Sequence, residues 1–136
     1  MPGHKDWLYK AACDLKAARL LLSDDDTLPN AAFNTHQCAE KALKGYLVFN
    51  RKQIHKTHDL ELLLKLCSEI NTDFIALKEE VKFLNPYVTD SRYPDDRFSI
   101  DHDEANEAIK KATKIIKFIN NKMKIPELPI LKLFDF

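Results

Sequence analysis

The sequence predicts an all-α domain, an antiparallel up-and-down bundle of four main helices with one short extra helix. Apolar residues recur at three- and four-residue intervals along most of the 136-residue chain, the period of helices with one buried face. Capping residues and prolines punctuate those stretches. Only two glycines are present, whereas sandwiches and barrels need many tight turns that glycine or asparagine serves best.

The first helix is expected from about Lys5 to Ser23, with Trp7, Ala11, Leu15, Ala18 and Leu22 as its stripe. Asp24-Asp25-Asp26 should end it, because carboxylates oppose the dipole at a helix C-terminus. Leu28-Pro29-Asn30 then reads as a turn. Asn30 suits the N-cap of a second helix reaching about Phe49, its inner face Ala32, His36, Ala39, Leu43 and Tyr46. Thr57 can cap a third helix from His58 to about Ile70, with Asp59 favourable in its first turn. Five leucines, Leu60, Leu62, Leu63, Leu64 and Leu66, surround more than one face of that helix. It is therefore expected to be central, or covered by a second subunit.

A short helix from Phe74 to Asn85 follows the turn Asn71-Thr72-Asp73, with Phe74, Leu77, Val81 and Leu84 inward and Pro86 stopping it. Tyr87 to Ile100 lacks helical period and forms the longest irregular segment. Asp101 with Glu104 three residues on reads as a capping box for the last long helix. Its stripe Ala105, Ala108, Ala112, Ile115 and Ile119 stays in phase to about Lys124. The expected domain is thus residues 1–124. Residues 125–136 form an apolar tail with two prolines, expected to pack on the bundle or on a partner.

Twenty-one basic and twenty-one acidic residues balance, so net charge favours neither nucleic acid nor an acidic membrane. Six lysines between Lys110 and Lys124, unrelieved by a carboxylate, read first as a solvated face and second as a phosphate-binding surface. Cys13, Cys38 and Cys67 are widely spaced and odd in number. They suit buried thiols in a reducing cytoplasm better than a metal site, and no metal or other cofactor is expected. The N-terminus lacks a signal-peptide core, and no apolar run is long enough to span a bilayer.

Three fragments fall in register with the helical segments. They are Ala39-Glu40-Lys41-Ala42-Leu43-Lys44, then Lys56-Thr57-His58-Asp59-Leu60, then Ser91-Arg92-Tyr93-Pro94-Asp95. With Trp7, Ala11 and Asp14-Leu15 in the first helix, these residues resemble the HEPN domain family in order and spacing, from about Lys5 to Lys124. The resemblance implies a HEPN-like bundle that forms homodimers and binds nucleotide or RNA. It also implies work beside a small nucleotidyltransferase subunit, as in toxin–antitoxin pairs, and metal-independent ribonuclease activity. The family's hallmark is Arg followed by His after four to six residues. Arg51 and His58 have six between them and fit; Arg51 and His55 have three and do not. Some members carry a nucleotidylated tyrosine two residues after that His. Leu60 stands there, so this modification is not supported.

The residue chemistry stands beside the resemblance. Cleavage of a phosphodiester by its neighbouring 2′-hydroxyl needs a proton acceptor, a proton donor and a cation. Imidazole serves either proton role near neutrality, and guanidinium matches two phosphate oxygens. Arg51 and His58 are the catalytic candidates, with Lys44, Lys56, Arg92 and Tyr93 for nucleotide or phosphate, and Glu40 and Asp59 in support. Bland readings compete. His58 and Arg51 can be structural, at a helix start and a helix end. Glu40 can orient Arg51, but more often pairs with Lys44 four residues on. Arg92 and Tyr93 can simply tie the long loop to the bundle. His36, on the apolar face, reads as a satisfied core histidine. Two other functions compete with the nuclease. One is a non-catalytic interaction module working through the third helix and the tail; the other is a nucleotide sensor working through the basic last helix.

Overall fold

The computed structural model describes residues 2–88 and 99–124 of the chain. Among them there is no strand, and the α-helices are α1 His4–Leu20, α2 Leu28–Phe49, α3 Leu60–Ile70, α4 Lys78–Leu84 and α5 His102–Lys122. Four long helices and one short one form a helical bundle, as the periodicity predicts. The tail at 125–136 and the segment 89–98, with Arg92 and Tyr93, lie outside the described residues.

α1 and α2 form an antiparallel hairpin. Asp14 meets Lys41 (Oδ2 to Nζ, 2.7 Å), and the His4 ring meets Phe49 edge-on at 5.0 Å. Gly45 lets these helices approach. A Cβ there would stand 2.5 Å from Leu8 Cδ2 and 3.1 Å from Trp7 Cβ. Leu8, Ala11, Ala12, Leu15 and Ala18 are buried from α1, while Trp7 and Leu22 are only half-buried. The expected inner faces of α2, the short helix and α5 are all buried. Phe74, one of these, packs between the Tyr46 ring, tilted at 4.4 Å, and the Phe118 ring, edge-on at 5.1 Å.

Boundaries differ from expectation at four elements. The short helix is α-helical only over Lys78–Leu84, with 3₁₀ turns at Thr72–Leu77 before it and Asn85–Val88 after it, so Pro86 ends the α-helix but not the helical winding. α1 stops at Leu20, and Leu21–Ser23 continues it only as a 3₁₀ turn. Asp24 then turns the chain by accepting a bond from Asp26 N at 2.8 Å, and the Thr27 hydroxyl donates to Leu21 O at 2.6 Å. Such local side-chain bonds compete with the helix ladder. α2 begins at Leu28, so Pro29 sits in its first turn, where a missing N–H costs nothing. Asn30 is already inside the helix. α3 begins at Leu60 with Asp59 as its N-cap, the carboxylate accepting from Glu61 N and Leu62 N at 3.0 and 3.4 Å. Thr57 instead accepts a bond from Asp59 N at 3.1 Å.

The α2–α3 connection is what places the site. Arg51 lies at φ 59, in the left-handed region. Arg51 N donates to Val48 O and Lys52 N to Leu47 O, both at 2.9 Å. This is the Schellman closure of a helix C-terminus, in which glycine usually takes the left-handed position. The chain then doubles back along α2, so that His58 reaches Glu40. α3 climbs from there in the same sense as α2, its Cys67 thiol donating to Leu43 O at 3.6 Å. Asn85, just beyond α4, clasps the start of α3: its Oδ1 accepts from Leu60 N at 2.9 Å and its Nδ2 donates to Asp59 Oδ1 at 3.1 Å.

At α5, Asp101 caps as predicted, accepting from Glu104 N at 2.8 Å, but the expected capping box is not closed, since the Glu104 side chain turns to another partner. The Glu104 carboxylate accepts a bond from the Tyr87 hydroxyl. Burial and that contact push the Tyr87 phenol above its ordinary range. The lysines of α5 largely face acids: Lys111 lies 3.8 Å from Glu107, Lys114 2.9 Å from Glu80, and Lys122 2.6 Å from Asp73. That favours the solvated-face reading of this lysine run over a phosphate surface.

Candidate active site

α2 presents His36, Glu40 and Lys44 at successive i,i+4 positions, and all three are buried. Glu40 is 5% and Lys44 7% exposed. The carboxylate uses both oxygens. Oε2 accepts from Lys44 Nζ at 2.9 Å, and Oε1 lies 2.9 Å from His58 Nδ1. An ionised carboxylate only accepts hydrogen bonds, so Nδ1 carries the proton and donates it. When the ring is neutral, Nε2 then bears the lone pair. The His58 side chain is 70% exposed. A solvent-facing imidazole is thus oriented by a buried carboxylate whose charge a buried ammonium balances.

His36 lies behind this arrangement, its Nδ1 3.8 Å from Glu40 Oε1. Neither ring nitrogen has a hydrogen-bond partner among the described residues. The reading of a satisfied core histidine holds only in part: the ring is fully buried, with the Glu40 carboxylate and the backbone of His58 beside it, but neither forms a well-aligned hydrogen bond with a ring nitrogen. Burial holds its pKa below the ordinary imidazole value, with the Glu40 carboxylate pulling the other way. His36 is neutral at neutral pH and adds no second positive charge beside Lys44.

Arg51 is exposed and forms no hydrogen bond or ion pair through its guanidinium with any described residue. Glu40 is aimed at His58 and not at Arg51. Glu40 precedes Phe49 by nine residues, about 13 Å of helical rise. The backbone that carries Arg51 therefore starts well over a helical turn from the level at which the imidazole meets Glu40. Lys56 is exposed on the returning segment between Arg51 and His58. Asp59 acts as the cap of α3 and is further held by Asn85.

His36 and Asn85 are the neighbours that sequence reasoning did not assign to this region. The i,i+4 spacing of His36 from Glu40 was a readable signal. Asn85 carried none, because its contacts join positions 25 and 26 residues apart. Among the described residues, no three His, Cys, Asp or Glu side chains converge as they would on a metal ion. Cys38 and Cys67 are free thiols whose pKa burial raises, for Cys67 to about 12. No helix among the described residues is long and apolar enough to cross a membrane.

Comparison with known proteins agrees with the architecture. Residues 4–122 match the family described as HEPN domain. The fold is similar to that in the crystal structure of ST0689, an archaeal HEPN homologue, at 29% identity and a TM-score of 0.73. That match covers 91% of this chain and 100% of the other. It is also similar to TT1696 from Thermus thermophilus, at 32% identity and a TM-score of 0.72, covering 90% of this chain and 99% of the other. No curated protein matches the chain.

Proposed function

The chain belongs to the HEPN domain family, and from that premise we propose that it binds nucleotide or RNA and, as a two-fold dimer, cleaves RNA without a metal ion. One observation carries this reading: an exposed imidazole whose Nδ1 is tied to a buried, charge-balanced carboxylate. With Nδ1 held by Glu40, Nε2 is the ring nitrogen left to take or give a proton.

In the cleavage step, Nε2 of His58 takes the proton of a ribose 2′-hydroxyl, and the 2′-oxygen attacks the adjacent phosphorus. The bond from phosphorus to the 5′-oxygen breaks, and that oxygen takes a proton from Nε2–H of His58 of the partner subunit. The products are a 2′,3′-cyclic phosphate and a free 5′-hydroxyl. Arg51 and Lys56 supply positive charge to the non-bridging oxygens. A two-fold dimer brings two such Arg51 and His58 pairs to one cleft, so that either copy can supply the guanidinium. Each proton transfer contributes roughly 10²–10⁴-fold.

Lys44 serves here to hold Glu40, while the 125–136 tail is proposed to seat on the bundle or a partner. A nucleotidyltransferase subunit is the partner this reading expects, and co-purification with one tests it.

The deciding assay is cleavage of single-stranded RNA by the purified protein in excess EDTA. Activity should persist, and His58→Ala should remove at least 10²-fold of it. Unchanged cleavage in His58→Ala would take these residues out of the mechanism.

A second reading, a non-catalytic interaction module, rests on the outer side of α3. Leu62 and Ile75 are 39% and 59% exposed, and Ile75 borders a hollow it shares with Leu64 and Val81. Dimerisation or partner binding lost in Ile75→Asp, with no RNA cleavage by the unaltered protein, would favour it.

A further inference from the structure

Beside the turn at Arg51 lies a groove that the chemistry at His58 leaves unused. It encloses about 210 Å³ between the segment leaving α2 and the C-terminal half of α3. Leu47, Leu66 and Ile70 line it with apolar surface, Lys52, Gln53 and His55 come from the returning segment, and Glu69 comes from α3. Leu47 is 2% exposed, whereas Lys52, His55 and Glu69 all open to solvent. Sites that enclose a whole drug-sized molecule run to roughly 300–1,000 Å³. This one is smaller. It suits a single flat ring system whose substituents stay outside.

We propose that this groove is a base-binding subsite selective for guanine in a nucleotide or RNA strand. The proposal rests on the nucleotide- and RNA-binding reading above and adds to it the identity of the base. The floor supplies apolar contact to a ring face. The Gln53 amide both donates and accepts, so it favours no base, and the charged Glu69 is the group that discriminates. A carboxylate only accepts hydrogen bonds, so Glu69 selects a base that offers donors. Guanine alone among the RNA bases presents two adjacent donors, N1–H and the 2-amino group, to which one carboxylate can bind bidentately. Adenine and cytosine set their amino group beside an acceptor. Uracil sets its single N–H between two carbonyl oxygens, which the carboxylate would repel. The phosphate of a guanine nucleotide then falls on the cationic side. There Lys52 and His55 at the groove adjoin the exposed Arg51 and Lys56 in the chain. An apolar peptide side chain would fill the same floor but would make no use of the Glu69 carboxylate at its edge.

The test is a backbone-amide NMR titration of the full chain in EDTA with 5′-GMP, 5′-AMP, 5′-CMP and 5′-UMP. Amide signals of Lys52, His55 and Glu69 should shift with 5′-GMP at concentrations roughly tenfold lower than with the others, the discrimination expected of a bidentate base contact. Glu69→Gln, a change at an exposed position, should bring 5′-GMP down to the level of 5′-AMP. Equal binding of all four, shifts confined elsewhere, or a guanine preference that survives Glu69→Gln would each overturn the subsite while leaving nucleotide binding intact. If no mononucleotide binds and RNA is not retained either, the subsite and the functional reading fall together.

Discussion

Replacing Arg51 in turn by glycine and by alanine separates what its backbone costs from what its side chain does. At φ 59 an L-residue crowds its own Cβ against the following carbonyl, at a cost of roughly 1–2 kcal/mol. Glycine escapes that crowding but loses about 0.5–1 kcal/mol through its freer unfolded chain. The difference leaves glycine more stable than alanine at position 51 by about 0.5–1 kcal/mol. No contact complicates the comparison, since the guanidinium bonds to no described residue and both variants lose the same favourable charge at the end of α2. Equilibrium urea unfolding measures it, with both variants expected to keep the unaltered slope. The same two proteins should lose RNA cleavage to an equal degree. Alanine proving as stable as glycine would refute the left-handed geometry, and full cleavage by either variant would refute the role given to the guanidinium.

Other consequences follow from buried groups. Glu40→Ala leaves Lys44 as an unpaired charge 7% exposed, so it should destabilise the fold by about 3–5 kcal/mol. Adding Lys44→Met should recover most of that loss in a thermal or urea melt, but not the activity, because His58 stays unoriented. His36 is less basic folded than unfolded, so the unfolded chain takes up the proton first. Its contribution to stability is complete above the unfolded value of 6.5. It is lost as pH falls through 6.5 toward the lower folded value. His36→Leu should therefore flatten the pH dependence of unfolding below about pH 7, by at most about 1.4 kcal/mol per pH unit. Gly45→Ala gains about 1 kcal/mol of helix propensity but drives a methyl to within 2.5 Å of the buried Leu8. Overpacking costs roughly 1–3 kcal/mol, so a net loss of about 1 kcal/mol should lower the melting temperature.

Legibility in the sequence followed the range of the forces involved. Helix number, helix type and inner faces depend on period and on near neighbours, and Ala32, Ala39, Leu43, Phe74, Leu77, Val81, Leu84 and Ile115 were all readable as core. The capping contact from Asp101 to Glu104 N spans three residues and was readable too. Boundaries were lost where two caps competed within a few residues, as at Thr57 and Asp59, since the choice turns on how Asn85 arrives from 26 residues away.

Residue order alone was enough for a helical bundle, for the Glu40–Lys44 pair, and for a cation and an imidazole flanking one turn. That Glu40 serves His58 in preference to Arg51 emerged only from the packed chain. The cause is the left-handed turn at Arg51, which sends the chain back along α2 and carries position 58 to the level of position 40. Helical spacing specifies which side chains share a face; the course of an extended connection depends on what α3 and Asn85 bury and bond at its far end.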